Sequence, residues 1–390
     1  MTSLDLDRAA ETFAEASDNT VGIEEEFSIL DPRTLDLLPR FEQLRDVAAE
    51  RDGLLAEHIT GELISSEIEI ISGVGGDLAD ALARQRDRRK RLFALAGGEG
   101  VALGATGTHP WADYREQPII QTEHYRRVDD DLKYVAWRNN TFSLHVHLGV
   151  RDLDRAVRAC DRLRPLLPLL LAISANSPYL DGQDSGLCSA RTQSFTKSFP
   201  RCGVPDPFGG WRAYREYVEF LVHTRSIVEF TQVWWSVRPH FSFGTVEVRI
   251  CDAQTRGEEA TALAGLIVAC VAQTALDMDE RGVAQLPAPL ADREIEENLW
   301  RAIRYGASGK MIDFRAGEEV ETRAVFERLL AWTEPARTSL GIEASLPGQN
   351  GAERAVAALA DRAPLEDVYR AAVAETAATY GRAGDAGERV

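Results

Sequence analysis

The 390-residue chain predicts an α+β fold built on an antiparallel sheet, and two observations predict it. Strand candidates at 21–30, 62–71, 101–107, 141–150 and 244–251 carry polar residues at alternate positions, as half-buried strands do. They lie far apart and are not joined by regular βα units of about 30 residues, which a doubly wound parallel sheet would need. There is also no G-x-x-x-x-G-K-[ST] loop and no convincing G-x-G-x-x-G fingerprint, so phosphate has to be held another way, and metal ions bridged by carboxylates are the obvious substitute.

In chain order, a short helix over 4–16 leads into the first strand, "VGIEEEFSIL". Val21, Ile23, Phe27 and Ile29 favour extended chain. Successive side chains of a strand point to opposite faces, so Glu24 and Glu26 share one face and Glu25 joins Ile23 and Phe27 on the other. Like charges on one face call for a cation. The second strand contains "GELISSEIEIIS" (61–72), with Glu62, Glu67 and Glu69; Glu67 and Glu69 share a face opposite Ile68 and Ile70. Hard cations such as Mg²⁺ take oxygen ligands of this kind, although an acidic strand facing solvent is the alternative. In "FSLHVHLGV" (142–150), His145 and His147 share a face, either as a zinc pair or in a structural, hydrogen-bonding role. In "WWSVRPHFSFGTVEVRICDA" (234–253), Glu247 and Arg249 alternate with Val246, Val248 and Ile250. That pair suits a metal-bound phosphate whose other oxygens meet a guanidinium, or else a surface salt bridge. Arg191 in "CSARTQS" and Arg238 in "VRPH" fall in segments rich in small and aromatic residues, which often form pockets. Helices are expected over 41–51, 77–96, 119–137, 152–175, 211–224, 257–279, 291–305, 319–334, 351–361 and 365–380.

Composition narrows the partners. A formal net charge of −18 argues against nucleic acid or an anionic membrane. The basic run "RQRDRRKR" (84–91) lies in a helical stretch and reads as a solvated helix face rather than an anion-binding patch. The five cysteines are odd in number and lack a close C-x-x-C pair, which fits a reducing cytosol. Cys188 and Cys202 lie in a loop-rich stretch without a nucleophile motif, and no G-x-S-x-G elbow is present. The acidic N-terminus is not a signal peptide, and the apolar run 166–175 is shorter than the roughly 20 residues a bilayer needs. A cytoplasmic location is expected.

"GIEEEF", "GTHPW", "HVHLGV", "LLLAISANSPYLDGQDSG", "RTQSF" with "FPRCGVP", "WWSVRPH" with "FGTVEVRICDA", and "RAIRYGASG" occur in this order. Together they resemble the type-2 glutamate–cysteine ligase family, over roughly residues 20–345. The resemblance implies a glutamine-synthetase-like catalytic domain, in which a curved antiparallel sheet with flanking helices carries the active site on its concave face. It implies one catalytic domain over 1–390, with an N-terminal extension (1–19) and a helical C-terminal segment (350–382). The implied activity is an ATP-dependent carboxylate–amine ligation through an acyl phosphate, with weak glutamate–cysteine ligase activity. Two or three Mg²⁺ ions serve it, with Mn²⁺ as a substitute. The implied metal ligands are Glu24, Glu26, Glu62, Glu69, His145 and Glu247, with Glu25 pointing outward or into the surroundings of the site. Glu67 stands where relatives more often carry an apolar residue. Glu247 and Arg249 carry the chemistry, Arg249 by neutralising charge on the transferring phosphoryl group. Arg191, Arg238 and His147 bind substrate or phosphate. Partners are small acids and amines such as glutamate and cysteine, and a homo-oligomer is expected. The rivals are a ligase for another acid and amine, and a zinc-dependent hydrolase built on His145 and His147.

Overall fold

Strand β1 (Val21–Leu30) is the axis of the fold, because its two faces serve different neighbours. The structure, a computed structural model, describes residues 5–286, 288–344 and 348–381. Leu4 and Arg382, at the edges of the expected 4–16 helix and 350–382 segment, lie outside them. Six further strands complete the sheet: β2 (Ile59–Thr60), β3 (Glu67–Ile71), β4 (Ala102–Gly104), β5 (Ser143–Gly149), β6 (Val237–His240) and β7 (Thr245–Asp252). Their order is β6-β7-β5-β1-β3-β2, with β4 paired to the end of β1, and each pairing is antiparallel. The α+β expectation is met.

Register does the positioning. Glu24 stands opposite His145 of β5, Glu26 opposite Glu69 of β3, His147 opposite Glu247 of β7, and Glu247 opposite Arg238 of β6. Residues far apart in sequence thus come to one face of one sheet. The other face of β1, with Ile23, Phe27 and Ile29, is buried against helices. The Leu78–Gly98 helix packs on β1 and β3, the Leu153–Leu163 and Leu167–Ser174 helices on β7, and the Gly257–Arg281 helix on β5. This last helix has 25 residues, long and apolar enough to cross a membrane by length and composition, but 72% of its apolar window is buried in the protein core.

Where the elements differ from expectation, local chemistry explains it. Strand β3 begins at Glu67, so Glu62 arrives from a loop and not from the expected strand 62–71. Of 101–107, only Ala102–Gly104 pairs. The 152–175 helix breaks at Arg164–Leu166, where Pro165 lacks the N–H that a helix interior needs. The 119–137 helix becomes Glu123–Leu132 and Tyr134–Trp137, divided at Lys133 with φ of 48°. Strand β6 was not expected, because Pro239 interrupts its pattern; it lies at the sheet edge, where a missing donor is tolerated. The start of the expected 319–334 helix is instead a strand, Glu318–Glu321, paired with Lys310–Asp313.

The basic run also needs correction. The helix turns Gln85, Arg88 and Arg89 inward, with both arginines 5–6% exposed, and leaves Arg84, Arg86 and Lys90 in solvent. Arg89 grips Glu25 with a two-pronged pair, Nε to Oε2 and Nη2 to Oε1, each 2.7 Å. Gln85 adds a third bond to Glu25 at 2.8 Å. Glu25 therefore points inward, to a dedicated partner behind the sheet.

Candidate active site

A cleft of about 300 Å³ opens over the polar face of the sheet. Its lining brings together the eleven residues marked by the sequence, namely Glu24, Glu26, Glu62, Glu67, Glu69, His145, His147, Arg191, Arg238, Glu247 and Arg249; ten line it directly, and His147 touches them from the floor. His124 and Tyr125, outside every quoted motif, and Phe195, Phe199, Trp234, His240 and Phe243, which lie within quoted motifs without being singled out, add walls.

The donors fall into three groups whose ligand atoms lie within 4.8 Å of one another: Glu24–Glu69–His145, Glu24–His147–Glu247 and Glu26–Glu62–Glu69. Each is rich in carboxylate oxygen and none holds more than one imidazole. That donor chemistry fits Mg²⁺ or Mn²⁺, the hard cations of phosphate chemistry, better than zinc. When ionised, the six carboxylates of the cleft outnumber its three arginines, and cations would then complete the charge balance.

Neighbouring groups fix the orientation of each donor. His145 Nδ1 lies 3.0 Å from Glu24 Oε2, and its Nε2 lies 2.7 Å from the Ser143 hydroxyl. His147 Nδ1 meets the Thr245 hydroxyl at 3.0 Å, and its Nε2 lies 3.1 Å from Glu24 Oε1. Glu26 accepts the Ser143 backbone N–H. Glu247 is held by Arg238, whose Nε donates to Oε2 at 2.6 Å and whose Nη2 reaches Oε1 at 3.3 Å; Arg249 Nη1 donates to the same Oε1. Arg238 also donates to the Val233 carbonyl, so its fork is occupied within the protein. Arg249, at 16% side-chain exposure, is the more open of the two. Arg191 donates to the carbonyls of Ile250 (3.1 Å) and Arg249 (3.3 Å), and lies 3.6 Å from Asp252.

Burial and charge divide the carboxylates. Burial, then the Glu26 carboxylate, push Glu62 up to about 8, and burial together with neighbouring carboxylates holds Glu67 and Glu69 well above the usual range. Burial acts the same way on Glu24, but the His147 charge and bonds from both histidines outweigh it and hold its carboxyl well below. At Glu247, burial is outweighed by Arg238 and Arg249, with the same result. A site with both kinds of carboxylate has the electrostatic character of a functional centre. The cysteines stay outside this chemistry: burial pushes the Cys188 thiol up to about 12 and the Cys202 thiol to about 11.

Sequence reasoning singled out neither Asp252 nor Tyr125, and it marked the aromatic wall only as aromatic-rich segments around Arg191 and Arg238, without naming its residues. Asp252 is fully buried beneath Arg191, accepting from Asn176 N (2.8 Å), Ser177 Oγ (2.6 Å) and Ser189 Oγ (3.0 Å). Its place in "FGTVEVRICDA", five residues after Glu247, was the available signal. Tyr125 had none, because it comes from a helix and reaches Gly61 O at 2.9 Å only in the folded chain.

Comparison with known proteins agrees with this geometry. Residues 20–363 match the model of glutamate-cysteine ligase family 2. A relative from Solibacter usitatus named "Putative glutamate--cysteine ligase 2" is 37% identical over 364 residues, covering 92% of this chain and 93% of its own length. A Sorangium cellulosum relative of the same name is 38% identical over 328 residues, covering 84% of this chain and 86% of its own. Among solved structures, a glutamate–cysteine ligase of Francisella tularensis in complex with AMP superposes with a TM-score of 0.65 at 12% identity, over 94% of this chain and 89% of that one. A bifunctional glutathione synthetase of Pasteurella multocida gives 0.65 at 13% identity, over 96% of this chain, which spans about half of that protein (54%). At such identities the two structures speak for the fold, whereas the family match spans the polar sheet face from Glu24 to Arg249. The chain belongs to glutamate-cysteine ligase family 2.

Proposed function

We propose that the protein is an ATP- and Mg²⁺-dependent carboxylate–amine ligase that activates an amino acid such as glutamate as an acyl phosphate and joins it to an amine, cysteine being one. The observation that carries this reading is the set of three carboxylate-rich donor groups on one sheet face, with Arg249 and Arg191 at the same cleft. Family membership supports a ligase, and the AMP in the Francisella neighbour is in keeping with a nucleotide substrate. Glu24, Glu26, Glu62, Glu69, His145 and Glu247 would hold the metal ions. Bound there, such ions would supply Lewis-acid neutralisation of charge on the phosphate groups.

The chain's own residues then have defined tasks. Transfer of the γ-phosphoryl group to a substrate carboxylate requires in-line positioning and charge neutralisation rather than an enzyme nucleophile. Arg249 supplies positive charge from the open side of the cleft, while Arg238 and His147 keep Glu247 and Glu24 in place. Attack of the amine on the acyl carbon expels phosphate and forms the amide. Because site residues drawn from Glu24 through to Arg249 line one cleft, the reading makes the chain a single catalytic unit. Arg191 would hold a substrate carboxylate. A zinc hydrolase is the weaker reading, since His145 and His147 never share a donor group.

The test is ADP release with Mg²⁺ and ATP across a panel of acids, with and without amines. ADP formation that depends on both an acid and an amine supports the ligase; turnover unaffected by omitting ATP refutes it. Glu24→Gln and Glu247→Gln should each lower the rate by roughly 10²–10³, the loss typical when a preorganised charge-stabilising group is deleted, with thermal denaturation reporting an intact fold.

A further inference from the structure

Two donors of the Glu26–Glu62–Glu69 group stand on β1 and β3, but Glu62 arrives from the loop between β2 and β3. That loop is tied to a part of the chain with its own small core. The Glu123–Leu132 and Tyr134–Trp137 helices bury Val128 and Ala136 in a cluster with Leu63 and Ile64, separate from the main core and with Trp234 at its edge. The Ile120 N–H donates to the Leu63 carbonyl at 3.0 Å, and the Ser65 N–H to the Pro118 carbonyl at 2.9 Å. Tyr125 Oη donates to the Gly61 carbonyl at 2.9 Å and lies 3.5 Å from Glu62 Oε2. Loop and helices thus form one unit, which lines the cleft through His124, Tyr125 and Val128. A second set of bonds joins it to another wall of the cleft. His124 Nδ1 lies 2.7 Å from Glu229 Oε1, and Arg127 Nη1 donates to the same oxygen at 3.2 Å. His124 and Arg127 are three residues apart, so the helix presents both on one side. Glu229 leads into Thr231 and Trp234, which line the cleft. Between the two helices Lys133 has φ of 48° and ψ of −119°, a conformation that favours glycine and makes the joint a strained one. A satellite cluster with a strained joint opens at lower cost than the main core.

We propose that residues 119–138 are a lid whose closure brings Glu62 to its donor group, with Glu229 as the latch and Tyr125 as the positioning residue that couples lid to ligand. This rests on the metal assignment within the ligase reading above and adds the regulation of that site. With the lid closed, three carboxylates surround one cation position. With the lid open, Glu62 withdraws together with Gly61 and Tyr125, which loosens the cation and uncovers the cleft for exchange of substrates and products. Such coupling is reciprocal: a cation held by Glu62 favours the closed lid by the same factor by which the closed lid favours the cation.

Hydrogen–deuterium exchange of the full chain, with and without saturating Mn²⁺, reads the lid directly. In the wild type, Mn²⁺ should slow exchange of peptides within 119–138 by roughly 3–10-fold, the size of a modest coupling between two sites. Glu62→Gln should lose that response. It keeps the Glu24–Glu69–His145 and Glu24–His147–Glu247 groups, so a rise in melting temperature with Mn²⁺ shows that the variant still binds the cation. Glu229→Gln should speed exchange of 119–138 without cation by roughly 3–10-fold, the worth of partly exposed ion pairs, while peptides of β1 and β5 exchange as in the wild type and report an intact fold. Should Glu62→Gln not fold, Tyr125→Phe decides, because it keeps the ring in place and removes only the tether: the Mn²⁺ response should shrink in 119–138 and persist in 61–66. A lid that ignores Mn²⁺ in the wild type, a response that survives in Glu62→Gln or is unchanged in Tyr125→Phe, or a Glu229→Gln lid that exchanges like the wild type overturns the proposal. ADP release keeps the two readings apart. Release that depends on acid and amine, from a protein whose lid ignores Mn²⁺, defeats only the lid; a lid that responds through Glu62 without ADP release for any acid defeats only the ligase.

Discussion

Glu24, Glu25 and Glu26 are chemically identical and stand in three different situations. Glu24 is bracketed by two histidines, Glu26 lies beside Glu69 and a backbone donor, and Glu25 is clamped behind the sheet by Arg89 and Gln85. Removing one partner of a buried pair leaves an uncompensated charge, which costs about 3–5 kcal/mol. Glu25→Gln should therefore lose stability of that size in urea denaturation, and the double variant Glu25→Leu with Arg89→Met should recover most of it. Equal stability of Glu25→Gln and wild type would contradict a structural role. A second residue gives a pH signature. His109 is 2% exposed; its Nε2 meets the Leu35 carbonyl at 2.7 Å, and its Nδ1 accepts the Ala112 N–H at 3.0 Å, so the ring is held neutral. Burial brings its pKa down to about 4, against the Leu35 bond, which favours the charged form. The unfolded chain, with histidine near 6.5, binds more protons between those values, so stability present above pH 6.5 is lost as pH falls towards 4. From pH 7 to pH 5 the wild type should lose about 2 kcal/mol more than His109→Gln, as read from urea midpoints.

Between elements, close approach takes over from pairing. Gly107, in "GTHPW", passes so near the end of β7 that an added Cβ would lie 2.7 Å from the Asp252 Cγ. Asp252 cannot retreat, because Asn176, Ser177 and Ser189 fix its carboxylate. Gly107→Ala should cost about 1–3 kcal/mol by overpacking, measured by thermal melting, and should also slow ADP release, because Arg191 rests partly on Asp252. Normal activity in a destabilised variant would separate Asp252 from the site. The same distinction explains what was legible beforehand. Alternation alone told the faces of β1, β5 and β7 apart, since a strand with one polar face announces it. β6 was hidden by Pro239, and Glu62 was credited to a strand when it sits in a loop. The basic run looked solvated because arginine is usually exposed; only the Glu25 carboxylate opposite makes burial of Arg89 tolerable, and no local pattern encodes that partner. The convergence of Asp252, Gly107 and Ser189 is likewise a property of packing.

At the scale of the whole molecule, the sheet is a partition with unequal sides. Helices bury its back in a continuous apolar core, while its front gathers six carboxylates whose mutual repulsion opposes folding. Ligands that bind only the folded state stabilise it by mass action, about 2.7 kcal/mol when present at 100-fold over Kd. Mg²⁺ or Mn²⁺ should therefore raise the melting temperature, and EDTA should reverse the rise. Glu24 and Glu69 each belong to two donor groups, so Glu24→Gln and Glu69→Gln should shrink that increment most. Glu25→Gln provides the internal comparison: it starts from a lower melting temperature yet keeps the full cation increment, because its carboxylate belongs to the back of the sheet. A wild-type melting curve that neither cation moves would show that the front carboxylates are balanced by protons and arginines alone, and the metal assignment would fall.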